Sequence, residues 1–169
     1  STKEVSECLK LATKYKIGVV PWSGGTGLVG GQIAPDKYSV TLSLERMNNI
    51  KNFSSINQSV EVEAGVILET IHEFVDKRNF LYPLSMASKG TCCIGGNLAT
   101  NAGGIGVLKY GNARDLCLGL EVVLADGSII NDIKTLKKDN TGYDLKNLFI
   151  GSEGSLGIIT RAVLRLYPT

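Results

Sequence analysis

The sequence predicts an α+β fold, built as two interleaved α/β lobes within a single domain spanning residues 1–169. Three observations support it. Two segments carry apolar residues at helical spacing, at least six short segments are β-branched or alternating, and no repeat or low-complexity linker divides the chain. At this length a domain buries most of its apolar surface without disulfides or metals.

The elements follow in order. Ser1-x-x-Glu4 has the form of a capping box, and Val5, Cys8, Leu9 and Ala12 recur at helical spacing, so the first sixteen residues read as an amphipathic helix. A helix whose apolar stripe opens at once usually packs on a preceding strand, so further chain is expected before Ser1. Ile17–Val20 is a short apolar strand ending at Pro21, followed by a glycine-rich loop from Ser23 to Gly31. Tyr38–Leu44, Ile50–Phe53 and Ser59–Ala64 are closely spaced strand candidates, expected to form an antiparallel run. Leu68–Arg78 is a second helix, with Leu68, Ile71, His72 and Val75 along one face. Tyr82–Gly111 is rich in Gly, Asn and small residues and reads as a loop too long to be an idle connection. Leu118–Leu124 and Ser128–Asn131 flank Asp126-Gly127, the signature of a two-residue hairpin turn. Asp139–Lys146 is polar and expected to start a short helix, and Gly157–Tyr167 alternates as a terminal strand.

Composition narrows the function. A net charge of +2 with 20% charged residues gives no electrostatic reason to expect nucleic acid or anionic membrane as a partner. No apolar run approaches the ~18 residues of a membrane span. Cys8, Cys92, Cys93 and Cys117 fit neither a zinc knuckle nor a secreted disulfide framework, so a cytoplasmic or equivalent reducing compartment is expected. The sole histidine, His72, lies between core-facing helical positions and reads as structural or surface; one histidine cannot build a metal site held by histidines, and none is expected.

The twenty glycines are clustered, which points to close backbone approach in several loops. Gly25-Thr26-Gly27-Leu28-Val29-Gly30 matches the G-x-G-x-x-G dinucleotide pattern and follows a strand. A Rossmann unit opens a helix at its third glycine, whereas here Gly31 leads into QIAPDKYSVTL, with a proline and a turn before a strand. An NAD-binding Rossmann domain is therefore the lesser alternative. The loop still offers a run of backbone N–H groups with little side-chain bulk, suited to a diphosphate.

Three further segments complete a pattern: PLSMASKGTCCIGGNLATNAGG (83–104), LGLEVVLADG (118–127) and KDNTGYDLKNLFIGSEGSLGIIT (138–160). With VPWSGGTGLVGG, in this order and spacing, they resemble the PCMH-type FAD-binding domain of the FAD-linked oxidase, or vanillyl-alcohol-oxidase-like, superfamily. The resemblance is nearest to the branch containing D-2-hydroxyglutarate dehydrogenase, D-lactate dehydrogenase and the glycolate oxidase flavoprotein subunit.

The resemblance implies a set of cofactor-binding residues. Ser23, Gly24, Gly25, Thr26 and Gly27 would wrap the FAD pyrophosphate, with Ser23 standing where relatives usually have glycine. Ser88, Gly90, Thr91, Gly95, Gly96, Asn97, Thr100, Asn101, Ala102, Gly103 and Gly104 would run along the diphosphate, ribityl chain and isoalloxazine. Glu153, Gly157, Ile158 and Ile159 would lie at the adenine end, although Glu153 also suits a capping role. Some members of the superfamily attach their flavin covalently through a histidine at the place of Thr26 or a cysteine near that of Lys89; neither is present, which implies noncovalent FAD. Cys92 and Cys93 fall in the second segment but read as small buried residues.

In the intact enzyme, hydride would pass from C2 of a D-2-hydroxy acid to flavin N5. The substrate-binding cations, the base and any metal would belong to a C-terminal cap domain absent from this chain. The resemblance thus implies an FAD-binding domain, truncated at both ends, with no catalytic residue of its own and little activity alone. A non-catalytic flavin-binding module is the alternative. Lys138, Asp139, Asn140, Tyr143 and Asp144 would either approach the flavin rim or serve as caps and solvated turns.

Overall fold

A computed structural model describes residues 1–169. Helix α1 (Thr2–Tyr15) opens on the expected capping box, the Ser1 hydroxyl accepting the Glu4 N–H while the Glu4 carboxylate accepts from the Ser1 backbone. It leads to strand β1 (Gly18–Trp22), and after residues 23–38 comes β2 (Ser39–Ser43). The pair is parallel, in register from Gly18 opposite Ser39 to Trp22 opposite Ser43. This corrects the antiparallel run expected from Tyr38 onward for its first strand alone, since Ile50–Ser54 and Ser59–Glu63 do pair antiparallel. The physical reason lies in the connection: parallel neighbours need a crossover of a dozen or more residues, and the glycine-rich loop supplies one without a helix. No helix follows Gly30, so the helix N-terminus required by the Rossmann reading is missing.

The second lobe is an antiparallel five-stranded sheet. β3 (Ile50–Ser54) and β4 (Ser59–Glu63) form its first hairpin, followed by α2 (Leu68–Asp76) and the short β5 (Phe80–Leu81). Within the stretch read as a loop, the chain forms α3 (Ile94–Ala99) and α4 (Val107–Tyr110). The two glycines of α3 make it a poor helix by propensity; it forms because Ile94 and Leu98 are fully buried and its first N–H groups donate to Val66 and Ala64 carbonyls.

β6 (Cys117–Val123) and β7 (Ile129–Asp132) form the second hairpin. Its turn is longer than expected: Leu124 and Ser128 close it, and only Gly127, at φ 84°, is left-handed. That is a three-residue loop with a glycine bulge, in which Asp126 accepts the Ser128 N–H. The short helix α5 begins at Lys146 and ends at Phe149, later than the polar run suggested. β8 (Ile158–Arg165) and β9 (Tyr167–Pro168) finish the chain.

The sheet order is β3-β4-β8-β6-β7, with the last long strand in the centre. One face packs against α2 and α3 through Val60, Val62, Ile71, Leu98, Ala162 and Leu164. A smaller apolar cluster, Val5, Leu9, Leu44, Met47, Ala64, Val123 and Ile158, joins the first lobe to one end of the sheet. That junction brings the glycine-rich segments together.

Candidate functional site

A cleft of about 370 Å3 lies where the lobes meet. Four stretches line it: residues 21–32, Met86 and Ser88, the segment from Cys92 to Ala102 that contains α3, and Glu153 to Ile159. Each is set by a local requirement. A Cβ on Gly24 would collide with the Thr91 carbonyl oxygen and sit 2.8 Å from the Cys92 Cα, so the first stretch touches the start of the third backbone to backbone. Ser23 has an ordinary φ, and its hydroxyl accepts the Gly96 N–H at 3.2 Å, tying the glycine loop to α3. Gln32 Nε2 donates to the Gly27 carbonyl at 2.9 Å and closes the loop on itself.

The fourth stretch is backbone-strained. Glu153 adopts φ 53°, a conformation that side chains other than glycine, Asn and Asp rarely take. Its N–H donates to the Ala99 carbonyl at 2.9 Å, docking the stretch on α3. Gly154 follows at φ 81°, and a Cβ there would press on the Pro21 ring. Gly157, Ile158 and Ile159 then enter the sheet and are buried.

Of the residues implied by the sequence, Ser23, Gly24, Gly25, Thr26, Gly27, Ser88, Gly95, Gly96, Asn97, Thr100, Ala102, Glu153, Gly157, Ile158 and Ile159 line this cleft. Gly90, Thr91, Asn101, Gly103 and Gly104 do not. Gly90 faces the Glu69 carboxylate, the Thr91 carbonyl backs the first loop, and Gly103 faces Asn112 and Val107. Asn101 accepts the Arg114 N–H through its side-chain oxygen at 3.0 Å, and Gly104 presses on the Ser85 backbone. Of these five, Thr91 backs a lining residue directly, through its carbonyl against Gly24.

Other lining residues escaped the sequence reading, among them Trp22, Gln32, Leu44, Met86 and Gly154. Trp22, Met86 and Gly154 lie inside the quoted motifs and were within reach of it; Leu44 arrives only through tertiary packing. Cys92 and Cys93 also line the cleft, and burial, partly offset by a Ser23 hydrogen bond, pushes the Cys93 thiol pKa up. His72 lies outside, its Nε2 2.8 Å from the Leu84 carbonyl, and burial lowers its pKa. Asp139, Tyr143 and Asp144 line a separate cleft, and Lys138 and Asn140 line neither.

The electrostatics are unusual for a site expected to hold a diphosphate. No Lys, Arg or His lines the cleft, and Glu153 is its only charged side chain. An anionic group could be held there only by backbone N–H dipoles and neutral side-chain donors. The polar side-chain groups left for a ligand are the Thr26 and Ser88 hydroxyls, the Trp22 indole N–H, the Asn97 Oδ1 and the Glu153 carboxylate, since the Asn97 amide donates to Cys92 Sγ at 3.6 Å and the Thr100 hydroxyl to the Gly96 carbonyl at 2.9 Å.

Comparison with known proteins places this architecture. Residues 1–132 match the family described as FAD binding domain. The chain is 48% identical over 168 residues to the mitochondrial D-2-hydroxyglutarate dehydrogenase of Danio rerio, covering 99% of this chain and 31% of that protein. It is 43% identical over 160 residues to a D-2-hydroxyglutarate–pyruvate transhydrogenase of Saccharomyces cerevisiae, covering 95% and 32%. A solved alkyldihydroxyacetonephosphate synthase superposes with a TM-score of 0.87 at 26% identity, over 99% of this chain and 33% of that one. The chain therefore spans about a third of the length of these proteins. No helix is long and apolar enough to cross a membrane. With the family matched over most of its length and the fold shared end to end, the chain belongs to the FAD binding domain family.

Proposed function

We propose that this chain is the noncovalent FAD cradle of a D-2-hydroxy-acid dehydrogenase acting on D-2-hydroxyglutarate, D-lactate or glycolate. The observation that carries the cradle is the convergence of glycine-rich backbone from separate stretches on one cleft lined by no cation. Such walls admit a flat, extended cofactor and present N–H groups to a diphosphate without neutralising side chains. Bound FAD would supply the redox chemistry, taking hydride from C2 of the substrate.

This chain's own residues have positioning roles. Ser23 and Gln32 hold the first loop in shape, Thr26 and Asn97 offer side-chain hydrogen bonds, and Glu153 offers a carboxylate to ribose or adenine donors. Gly90, Thr91, Asn101, Gly103 and Gly104 are proposed to act by bracing those walls. Thr26 and Lys89 stand at the family's attachment places and form no flavin bond, which is the basis for noncovalent binding. Substrate cations, the proton-accepting base and any metal are assigned to a further cap domain of the enzyme. The free cysteines suit a reducing compartment, and the name of the Danio rerio relative favours mitochondria over the cytoplasm within that class.

The test is to purify the chain with FAD, denature it with acid and follow the flavin. Flavin that copurifies and is then released into solution is expected; absence of bound flavin, or flavin that stays with the precipitate, overturns the reading. Dye reduction with the three acids should be negligible for these 169 residues, and efficient turnover would refute the assignment of substrate binding to another domain.

A further inference from the structure

A second cleft, of about 310 Å3, shares no residue with the first and has the opposite chemistry. Its lining is polar, drawn from the 114–118 segment, the stretch from Asp132 to Asn147, and Arg165 at the end of β8. Five cations and four carboxylates line it. Some of these cancel: Lys134 sits between Asp132 and Asp139, 2.8 Å from each, and Lys146 is 2.6 Å from Asp144.

Three cations remain without a carboxylate. Arg114 donates to the carbonyls of Asn147 at 2.7 Å and Ile150 at 2.6 Å, which uses its N–H groups and leaves its charge. Lys137 donates to the Gln58 side-chain oxygen. The Arg165 side chain makes no hydrogen bond: its Nε is buried with no partner, and its guanidinium carbon lies 5.0 Å from the Tyr167 ring centre. The remaining carboxylate, Asp115, accepts the Asn112 N–H at 2.8 Å.

A buried guanidinium N–H rarely goes unmet, and Arg presents its donors as a planar fork that matches oxyanion oxygens. We propose that this cleft binds a small oxyanion, a carboxylate or a phosphate, with Arg165 as its principal donor and Lys137 and Arg114 supplying the surrounding positive field. The site is independent of the flavin reading and goes beyond it.

The experiment uses the whole chain with FAD present, so that the glycine cleft is closed to phosphate. Inorganic phosphate and succinate are titrated separately at pH 7 against chloride of equal ionic strength. The melting temperature and the Arg165 Nε–H resonance are followed. A saturable shift of that resonance with at least one oxyanion, and a rise of a few degrees in melting temperature, are expected. Arg165→Gln should abolish both, and Lys137→Gln should weaken binding several-fold. Phosphate without succinate would identify a tetrahedral ligand, and the reverse a carboxylate; each supports the site. Lack of saturation with both anions, or binding unchanged in Arg165→Gln, overturns it. Should Arg165→Gln fail to fold, the wild-type resonance decides: a saturable titration that leaves Arg165 unmoved rejects the proposal.

Discussion

Two arginines stand four residues apart on β8 and have opposite surroundings. Ala162 and Leu164 between them point into the apolar core, so Arg161 and Arg165 share the other face of the sheet. Arg161 is saturated. Its Nε and Nη2 donate to Glu121 at 2.9 and 2.5 Å and its Nη1 to Glu61 at 2.7 Å, while Thr2 and Thr160 also donate to Glu121. Register explains the contrast. Across β8, Arg161 faces Glu121 on β6 and Glu63 on β4, with Glu61 one pleat away, whereas Arg165 faces Ser59 at the end of β4. The same side chain on the same face thus becomes a structural pin where the neighbouring strands bring carboxylates and an open donor where they do not. A charged residue on a strand takes its role from cross-strand partners.

That contrast can be broken in graded steps. Arg161→Met leaves Glu61 and Glu121 buried without their cation and is expected to cost about 3 kcal/mol, or roughly 10 °C in melting temperature. A thermal or urea melt measures it, and wild-type stability in this variant would show the cluster to be idle. Lowering the pH is milder. Burial pushes the Glu121 carboxyl up, but hydrogen bonds from Arg161, Thr2 and Thr160 and the Arg161 charge outweigh it, bringing the pKa down to about 2. Because the folded value lies below the unfolded one, its contribution is complete above about pH 4.5 and is lost as the pH falls toward 2. The loss should reach about 1–2 kcal/mol after solvent screening, and the Arg161→Met variant should lack it.

Ser59→Asp sharpens the comparison from the other side by placing a carboxylate opposite Arg165. Phosphate or succinate affinity in the second cleft should fall by ~10-fold or more through direct competition and repulsion. Calorimetric titration of wild type and variant checks this, with undiminished affinity counting against the assigned donor. The smallest effect belongs to the stability of Arg165→Gln, expected to change by less than about 1 kcal/mol in anion-free buffer, since no side-chain hydrogen bond or ion pair is broken and only the contact of its guanidinium with the Tyr167 ring, at 5.0 Å, is lost. A loss comparable to that of Arg161→Met would mean that Arg165 is a structural pin as well.

The two clefts repeat the lesson on a larger scale. The first was legible because its requirement is backbone approach: Gly24 and its neighbours leave a local mark, and fifteen of the residues implied by the motifs line it. Even there, motif membership did not separate lining from support, since Asn101 and Gly104 turn away to brace Arg114 and Ser85. The second cleft was invisible in the sequence. Its cations come from positions 114, 134, 137, 146 and 165, and whether each is neutralised depends on which acidic side chain lies beside it in space. The polar run from Lys138 to Asp144 gave a choice between flavin rim and solvated turn; it is exposed, with Asp139 accepting the Thr141 N–H, and five of its residues line this cleft.

By itself the sequence determined the helices α1 and α2, the two hairpins, the α+β class and the glycine stretches of the cofactor cleft, because capping, periodicity, turn chemistry and close backbone approach are local demands on residue type. Only the tertiary structure decided that β1 and β2 run parallel, that a glycine-bearing segment folds as α3, and that Arg161 is paired while Arg165 is open. Those outcomes depend on which strands become neighbours and in what register, and contacts between residues far apart in the chain leave no local trace.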